Sequence, residues 1–173
     1  RVALLQVDDQ QEGLLRVDPR NTDQVLPNLG RLAEVSPDGK VMRFELVDAK
    51  FSDGKPFTAK DVAFTVEAAR LPENMAEYGP FFELLDRVEV IDARSLRLIW
   101  KQPYALAERA LAVIPMQPAH AFPAVNTLRT APAGRIPIGT GPYLIERWDA
   151  DQRVVLARNP HHRPCRPSPA AGL

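Results

Sequence analysis

Short runs that alternate apolar and polar residues, separated by turn residues, set the pattern of this chain. From Val41 to Val47, Met42, Phe44 and Leu46 fall on one side and Arg43 and Glu45 on the other. That period of two predicts a half-buried strand. Leu32 to Val35 precedes it across Ser36-Pro37-Asp38-Gly39. Proline presets one turn dihedral, aspartate bonds back to the backbone and glycine supplies a positive φ, so the two runs are expected to form a hairpin. Ser52-Asp53-Gly54 predicts a second turn. Thr58-Ala59-Lys60-Asp61 then reads as a helix start, with Thr58 as the cap and Asp61 at the third helical position near the positive end of the dipole. Val62, Ala63, Val66 and Ala69 share the apolar face of that helix, which Leu71-Pro72 ends.

Residues 72–86 read as irregular and hold an aromatic group, Tyr78, Phe81 and Phe82. Arg87 to Ile91 and Leu96 to Trp100 predict another hairpin. Leu106, Ala107, Ala110, Leu111 and Ile114 form a second helical stripe. Pro115, Pro118 and Pro123 break the following stretch, and Ala131 to Gly141 reads as a Pro/Gly-rich connector. Tyr143 to Trp148 and Arg153 to Arg158 predict a third hairpin. From Pro160 the periodicity stops, so the expected organisation is a domain over 1–159 and a loosely attached, proline-rich tail over 160–173. The fold class expected is mixed α/β, twisted sheet hairpins with two main helices. No internal repeat is visible.

Composition narrows the function. The chain has 173 residues, enough to build its own core, with 45% apolar and 25% charged residues. Basic and acidic residues number 22 each, so the net charge is zero and phosphate-driven nucleic-acid binding is not expected. The seven arginines from Arg129 onward outweigh three acids, a mild excess read as solvated surface. A single cysteine excludes an intrachain disulfide, and no apolar run reaches the ~20 residues of a membrane span. The opening Arg1 to Gln6 is too short for a secretory apolar core. A cytoplasmic protein, a mature secreted protein and a piece of a longer one all fit.

The candidate chemistry is sparse. His161, His162 and Cys165 are metal ligands by type, but they lack the second ligand pair of a closed site, and no metal is expected. His120 stands alone in a proline-broken segment and reads as a satisfied histidine rather than a catalytic one. Gly139-Thr140-Gly141 lacks the Lys-Ser/Thr of a phosphate loop, and Pro142 removes an amide such a loop would use. The two glycines read instead as places of unusual φ. With no nucleophile elbow and no assembled triad, no enzyme and no cofactor are expected. Phe81 and Phe82 read as core. Tyr78, beside Gly79-Pro80, offers a flat apolar ring and one hydroxyl to a peptide-like ligand.

Several stretches resemble the oligopeptide/dipeptide-binding family (family 5) of extracellular solute-binding proteins of ABC importers. Glu12-Gly13-Leu14 resembles its early E-G-L segment, and Leu29 to Gly39 its hairpin ending S-P-D-G. Phe51 to Val62 resembles a signature F-x-D-G-x-P-x-T-A-x-D-V. Val88 to Asp92, Leu96 to Pro103, Pro137 to Tyr143 and Leu156 to Pro160 follow in the family's order. The family's tryptophan is missing from the first hairpin, and His161-His162-Arg163-Pro164 stands where an aromatic pair and a glycine turn are usual.

The resemblance implies a first-lobe fragment of a periplasmic-binding-protein-like fold. It implies a peptide or similar small solute as ligand and an ABC permease as partner of the full-length parent. The implied location is periplasmic or extracellular, on the membrane-associated face. It carries over Tyr78 and Glu12 as ligand-binding residues, and a structural role for Gly139 to Gly141. Such receptors trap ligand between two lobes, so one lobe alone is expected to bind weakly or not at all. An exposed lobe face suggests self-association. The alternatives are a protein-interaction module, a ligand-sensing domain of a regulator, and a hydrolase built on His120.

Overall fold

The computed structural model describes residues 11–71, 78–128, 130–131, 138–149 and 153–163. Its centre is a four-stranded antiparallel sheet of β3 (Gly30–Val35), β4 (Val41–Leu46), β5 (Leu85–Asp92) and β6 (Ser95–Trp100), in the order β3-β4-β6-β5. Two separate hairpins flank it in the chain: β1 (Leu15–Asp18) with β2 (Asn21–Pro27), and β7 (Tyr143–Asp149) with β8 (Arg153–Arg158). Helices α1 (Ala59–Ala69) and α2 (Ala107–Val113) complete the mixed α/β architecture.

The alternation read at 41–47 places residues as expected. Met42, Phe44 and Leu46 are buried, and Phe44 pairs with Leu32 on one side and Leu96 on the other. The opposite face is charged. Arg43 pairs with Glu34 and Glu45 at 3.4 and 3.2 Å, and Arg31 with Glu45. Exposed pairs of this kind contribute little each, so their value is to keep that face wet while the other is buried. Gly39 closes the β3–β4 turn at φ 69°, and Gly54 the next at φ 84°. Both are left-handed positions where glycine is free of strain.

The same core also holds Val62 and Val66 of α1, Ala110 and Leu111 of α2, and Ile114 and Met116 that follow, all fully or almost fully buried. Among the described residues Trp100 is the largest fully buried side chain. It stacks on Phe82 at 6.5 Å and leans on Tyr104 at 5.0 Å. The helix start at Thr58 is as read, but the carboxylate carries it. Asp61 Oδ2 accepts the Thr58 N–H at 2.8 Å and its hydroxyl at 3.0 Å, while Oδ1 accepts the Ala119 N–H at 2.9 Å. Asp61 is thus a cap and a cross-link, which accounts for its burial.

Five expectations change. The β1–β2 hairpin was not foreseen, because Arg16 to Pro27 alternates poorly. Residues 79–82 form a 3-10 turn and 85–86 already belong to β5, so 72–86 is less irregular than read. Leu106 lies outside the buried stripe, half exposed just before α2, because that helix begins one residue later. Gly139 and Gly141 are not among the described positive-φ glycines. They act through their carbonyls, described below. Residues 160–163 are bonded to the body rather than loose. The expected turn at 150–152, Pro72, and 164–173 with Cys165 lie outside the described residues.

Candidate functional site

Glu12 opens the segment that feeds β1. The Met116 N–H donates to its carbonyl at 3.0 Å, and the Asn28 side-chain amide donates to the Gly13 carbonyl at the same distance. Gly13 is required there. A Cβ on it would come within 2.7 Å of the Ala112 carbonyl oxygen at the end of α2. The Glu-Gly-Leu run is therefore wedged between α2 and β3, with Leu14 fully buried and its carbonyl bonded by the Gly30 N–H at 2.9 Å.

The Glu12 carboxylate is held from the far end of the chain. Arg163 Nη2 donates to Glu12 Oε1 at 3.0 Å and to Asn28 Oδ1 at 2.5 Å, and its Nη1 donates to the Asn28 carbonyl at 3.1 Å. The two side chains are 22% and 13% exposed. The other carboxylate oxygen, Oε2, is buried with no partner among the described residues.

Tyr78 stands just before the 79–82 turn, half-buried, with its ring against the core cluster. Its carbonyl accepts the Phe81 N–H at 3.0 Å. Phe82 is fully buried under Trp100 and Phe81 packs against the core, as read for both.

A second polar group forms around the 51–55 turn. His120 Nε2 lies 2.7 Å from Asp53 Oδ2, and the His120 ring meets Phe51 edge-on at 5.6 Å. Burial works to raise the Asp53 carboxyl, but the Lys55 N–H and the His120 ring outweigh it and leave it below the ordinary carboxylate range. His120 borders a shallow depression of about 440 Å³ that also includes Lys55, Lys60, Asp61 and Ala119. Both carboxylates are engaged, Asp53 by Lys55 and His120, Asp61 by Thr58 and Ala119. The histidine is a satisfied partner of a turn, as expected of it.

The connector returns over this turn. The Ser52 N–H donates to the Gly139 carbonyl at 2.8 Å, Asn159 Nδ2 to the Gly141 carbonyl at 2.8 Å, and His162 Nδ1 lies 3.0 Å from the Thr140 carbonyl. The Gly-Thr-Gly run is a docking strip for residues distant in sequence, not a phosphate cradle. Among the described residues no group of three or more histidines, cysteines or acids is placed to hold a metal, and no helix is long and apolar enough to cross a membrane. Neither Asn28 nor Arg163 was singled out from the sequence. The one available signal was that Arg163 falls in the run His161-His162-Arg163-Pro164, which departs from the family pattern.

Comparison with known proteins adds the following. Residues 24–171 match the family described as bacterial extracellular solute-binding proteins, family 5 Middle. A putative ABC transporter peptide-binding protein of Brucella ovis is 32% identical over 148 residues, which is 84% of this chain and 28% of that protein. The glutathione-binding protein GsiB of Pectobacterium atrosepticum is 29% identical over 128 residues, 72% of this chain and 24% of its own length. NikZ from Campylobacter jejuni, solved with Ni(L-His), superposes with a TM-score of 0.81 at 32% identity, covering 90% of this chain and 31% of NikZ. A mannohexaose-bound oligopeptide-binding protein of Thermotoga maritima gives 0.73 at 31% identity, covering 88% of this chain and 28% of its own. The chain thus spans about a quarter of the length of the curated relatives it matches.

Proposed function

Because the chain belongs to the bacterial extracellular solute-binding proteins of family 5, we propose that it forms part of the first lobe of a receptor that captures a peptide or similar small solute for an ABC importer. One observation carries this: the family match runs through residues 24–171, and nine-tenths of the chain superposes on a solved binding protein. The matched relatives are binding components of transporters rather than enzymes, in keeping with an Asp53–His120 pair occupied in holding a turn. The location proposed is extracellular or periplasmic, facing a membrane permease.

Glu12 and Tyr78 are proposed as contacts to the solute. Glu12 brings a carboxylate held by Arg163, and Tyr78 brings a half-buried ring with a hydroxyl. In this fold a ligand is enclosed by hinge closure between lobes, so the residues described here form one wall of a site. The 173-residue chain by itself is proposed to bind weakly or not at all, and residues 1–159 to act as the lobe portion, to which 160–163 are fastened.

Isothermal titration of an intact parent receptor against peptides, nickel complexes and sugars tests the reading. Saturable heat with one class and none with the others supports it. Silence with every class counts against it. Size-exclusion chromatography with light scattering tests the proposed self-association, and a strictly monomeric profile would remove it.

A further inference from the structure

The polar cluster that joins residues 12, 28 and 163 says what kind of ligand atom Glu12 can receive. Glu12 and Arg163 carry opposite charges and lie 3.0 Å apart with 13% and 22% of their side chains exposed. The remaining groups bonded into the cluster, Asn28 and the Gly13 carbonyl, are neutral. A pair this sheltered is screened little by solvent and its two charges largely cancel at a distance. We propose that Arg163 is a positioning and specificity-determining residue. It holds Glu12 in place and cancels its charge, so that the wall at Glu12 accepts an uncharged N–H donor, such as a peptide amide, rather than anchoring a ligand ammonium. This rests on Glu12 being a solute contact, as proposed above.

Shape and charge are separable here. The Arg163 guanidinium bonds three acceptors at once, Glu12 Oε1, Asn28 Oδ1 and the Asn28 carbonyl. An ammonium is a point charge and cannot span that fork. Arg163→Lys therefore keeps the neutralising charge while loosening the geometry. Arg163→Met removes the charge and leaves a sheltered carboxylate uncompensated, a costly state that raises the pull on any cation.

The test is an NMR titration of the full chain with trialanine, which has a free α-ammonium, and with N-acetyl-trialanine, which does not. Wild type should bind the two within about twofold of each other. Arg163→Met should shift the ratio at least fivefold toward trialanine. Arg163→Lys should restore the wild-type ratio even where affinity for both falls. Should Arg163→Met fail to fold, Glu12→Gln supplies the second arm: it leaves the guanidinium uncompensated and should shift the ratio at least fivefold toward N-acetyl-trialanine, and an unmoved ratio in it overturns the proposal. A wild-type chain that favours trialanine more than fivefold, with the preference lost in Glu12→Gln, overturns the proposal. So does a ratio that Arg163→Met leaves unmoved. Either result leaves the solute-binding reading standing, because ligand is still bound. Silence of both peptides on wild type overturns this proposal, whereas the solute-binding reading is decided separately by the titration against peptides, nickel complexes and sugars.

Discussion

The central sheet and the returning segment at 138–163 are held by opposite means. The sheet is fastened by burial. Phe44, Leu96, Leu98 and Trp100 lie at or below 1% exposure, and their neighbours on α1 and α2 are equally dry. The returning segment is fastened chiefly by polar contacts to residues far off in sequence: Gly139 to Ser52, and Arg163 to Glu12 and Asn28. Burial is shared among many contacts and fails all at once. A polar strap fails one bond at a time, and each bond lost strands a sheltered partner. The first region should therefore behave as a cooperative unit, and the second should open locally before the whole unfolds.

The sharpest way to break the comparison is at Trp100. Trp100→Ala deletes the largest fully buried of the described side chains and should cost about 3–5 kcal/mol. Urea unfolding followed by circular dichroism should show a single transition moved to much lower denaturant. A change confined to one part of the molecule would contradict a shared core. Next comes Asn159, whose side chain donates to the Gly141 carbonyl at 2.8 Å and accepts the His161 N–H at 2.9 Å. Asn159→Ala should cost about 1–3 kcal/mol. Hydrogen exchange should show that loss in β7 and β8 while amides of β4 and β6 keep their protection. Equal loss in both would erase the distinction drawn here.

A smaller effect is expected with acid. The Ser36 hydroxyl and Lys40 N–H lower the Asp38 carboxyl, and the Ser95 hydroxyl and Arg94 N–H lower that of Asp92. Asp53 is lowered as well, against the opposing effect of its own burial. A carboxyl depressed in the folded chain adds stability above its unfolded value, and that stability is lost as pH falls through the native value. The contribution should be complete above about pH 5 and decline below about pH 4. Melting temperature measured from pH 7 to pH 2 should follow that course, and a rise on acidification would contradict it. The smallest effect belongs to Leu106, 50% exposed ahead of α2. Leu106→Ser should change stability by no more than about 0.5 kcal/mol. A loss several times larger would show that the residue is covered in solution.

The same contrast explains what could be read from the residues alone. Periodicity reports burial, so β3 to β6, both helices and their turns were legible in Met42, Phe44, Val62 and Leu111. The capping role of Asp61 followed from its spacing to Thr58. Its second bond, to the Ala119 N–H, carries no local mark. Nor does the joining of Glu12, Asn28 and Arg163, since each is a commonplace polar residue until the fold brings them together. β1 and β2 were missed because their inward positions are shared with α2 rather than repeated every second residue. Tyr78 and Glu12 came from family resemblance, and burial and hydrogen bonding place them without giving them a ligand.

Sheet order carries one further consequence. The hairpins β3–β4 and β5–β6 each close across a short turn, yet they meet only along β4 and β6, after the chain has passed through α1. Two locally cheap pieces must wait for one distant encounter, and the search for that encounter sets the pace of assembly. Stopped-flow refolding should find Phe44→Leu, at the meeting line, slowing folding, while Val90→Ala on the outer edge strand chiefly hastens unfolding. A reversed pattern would place the rate-limiting event elsewhere.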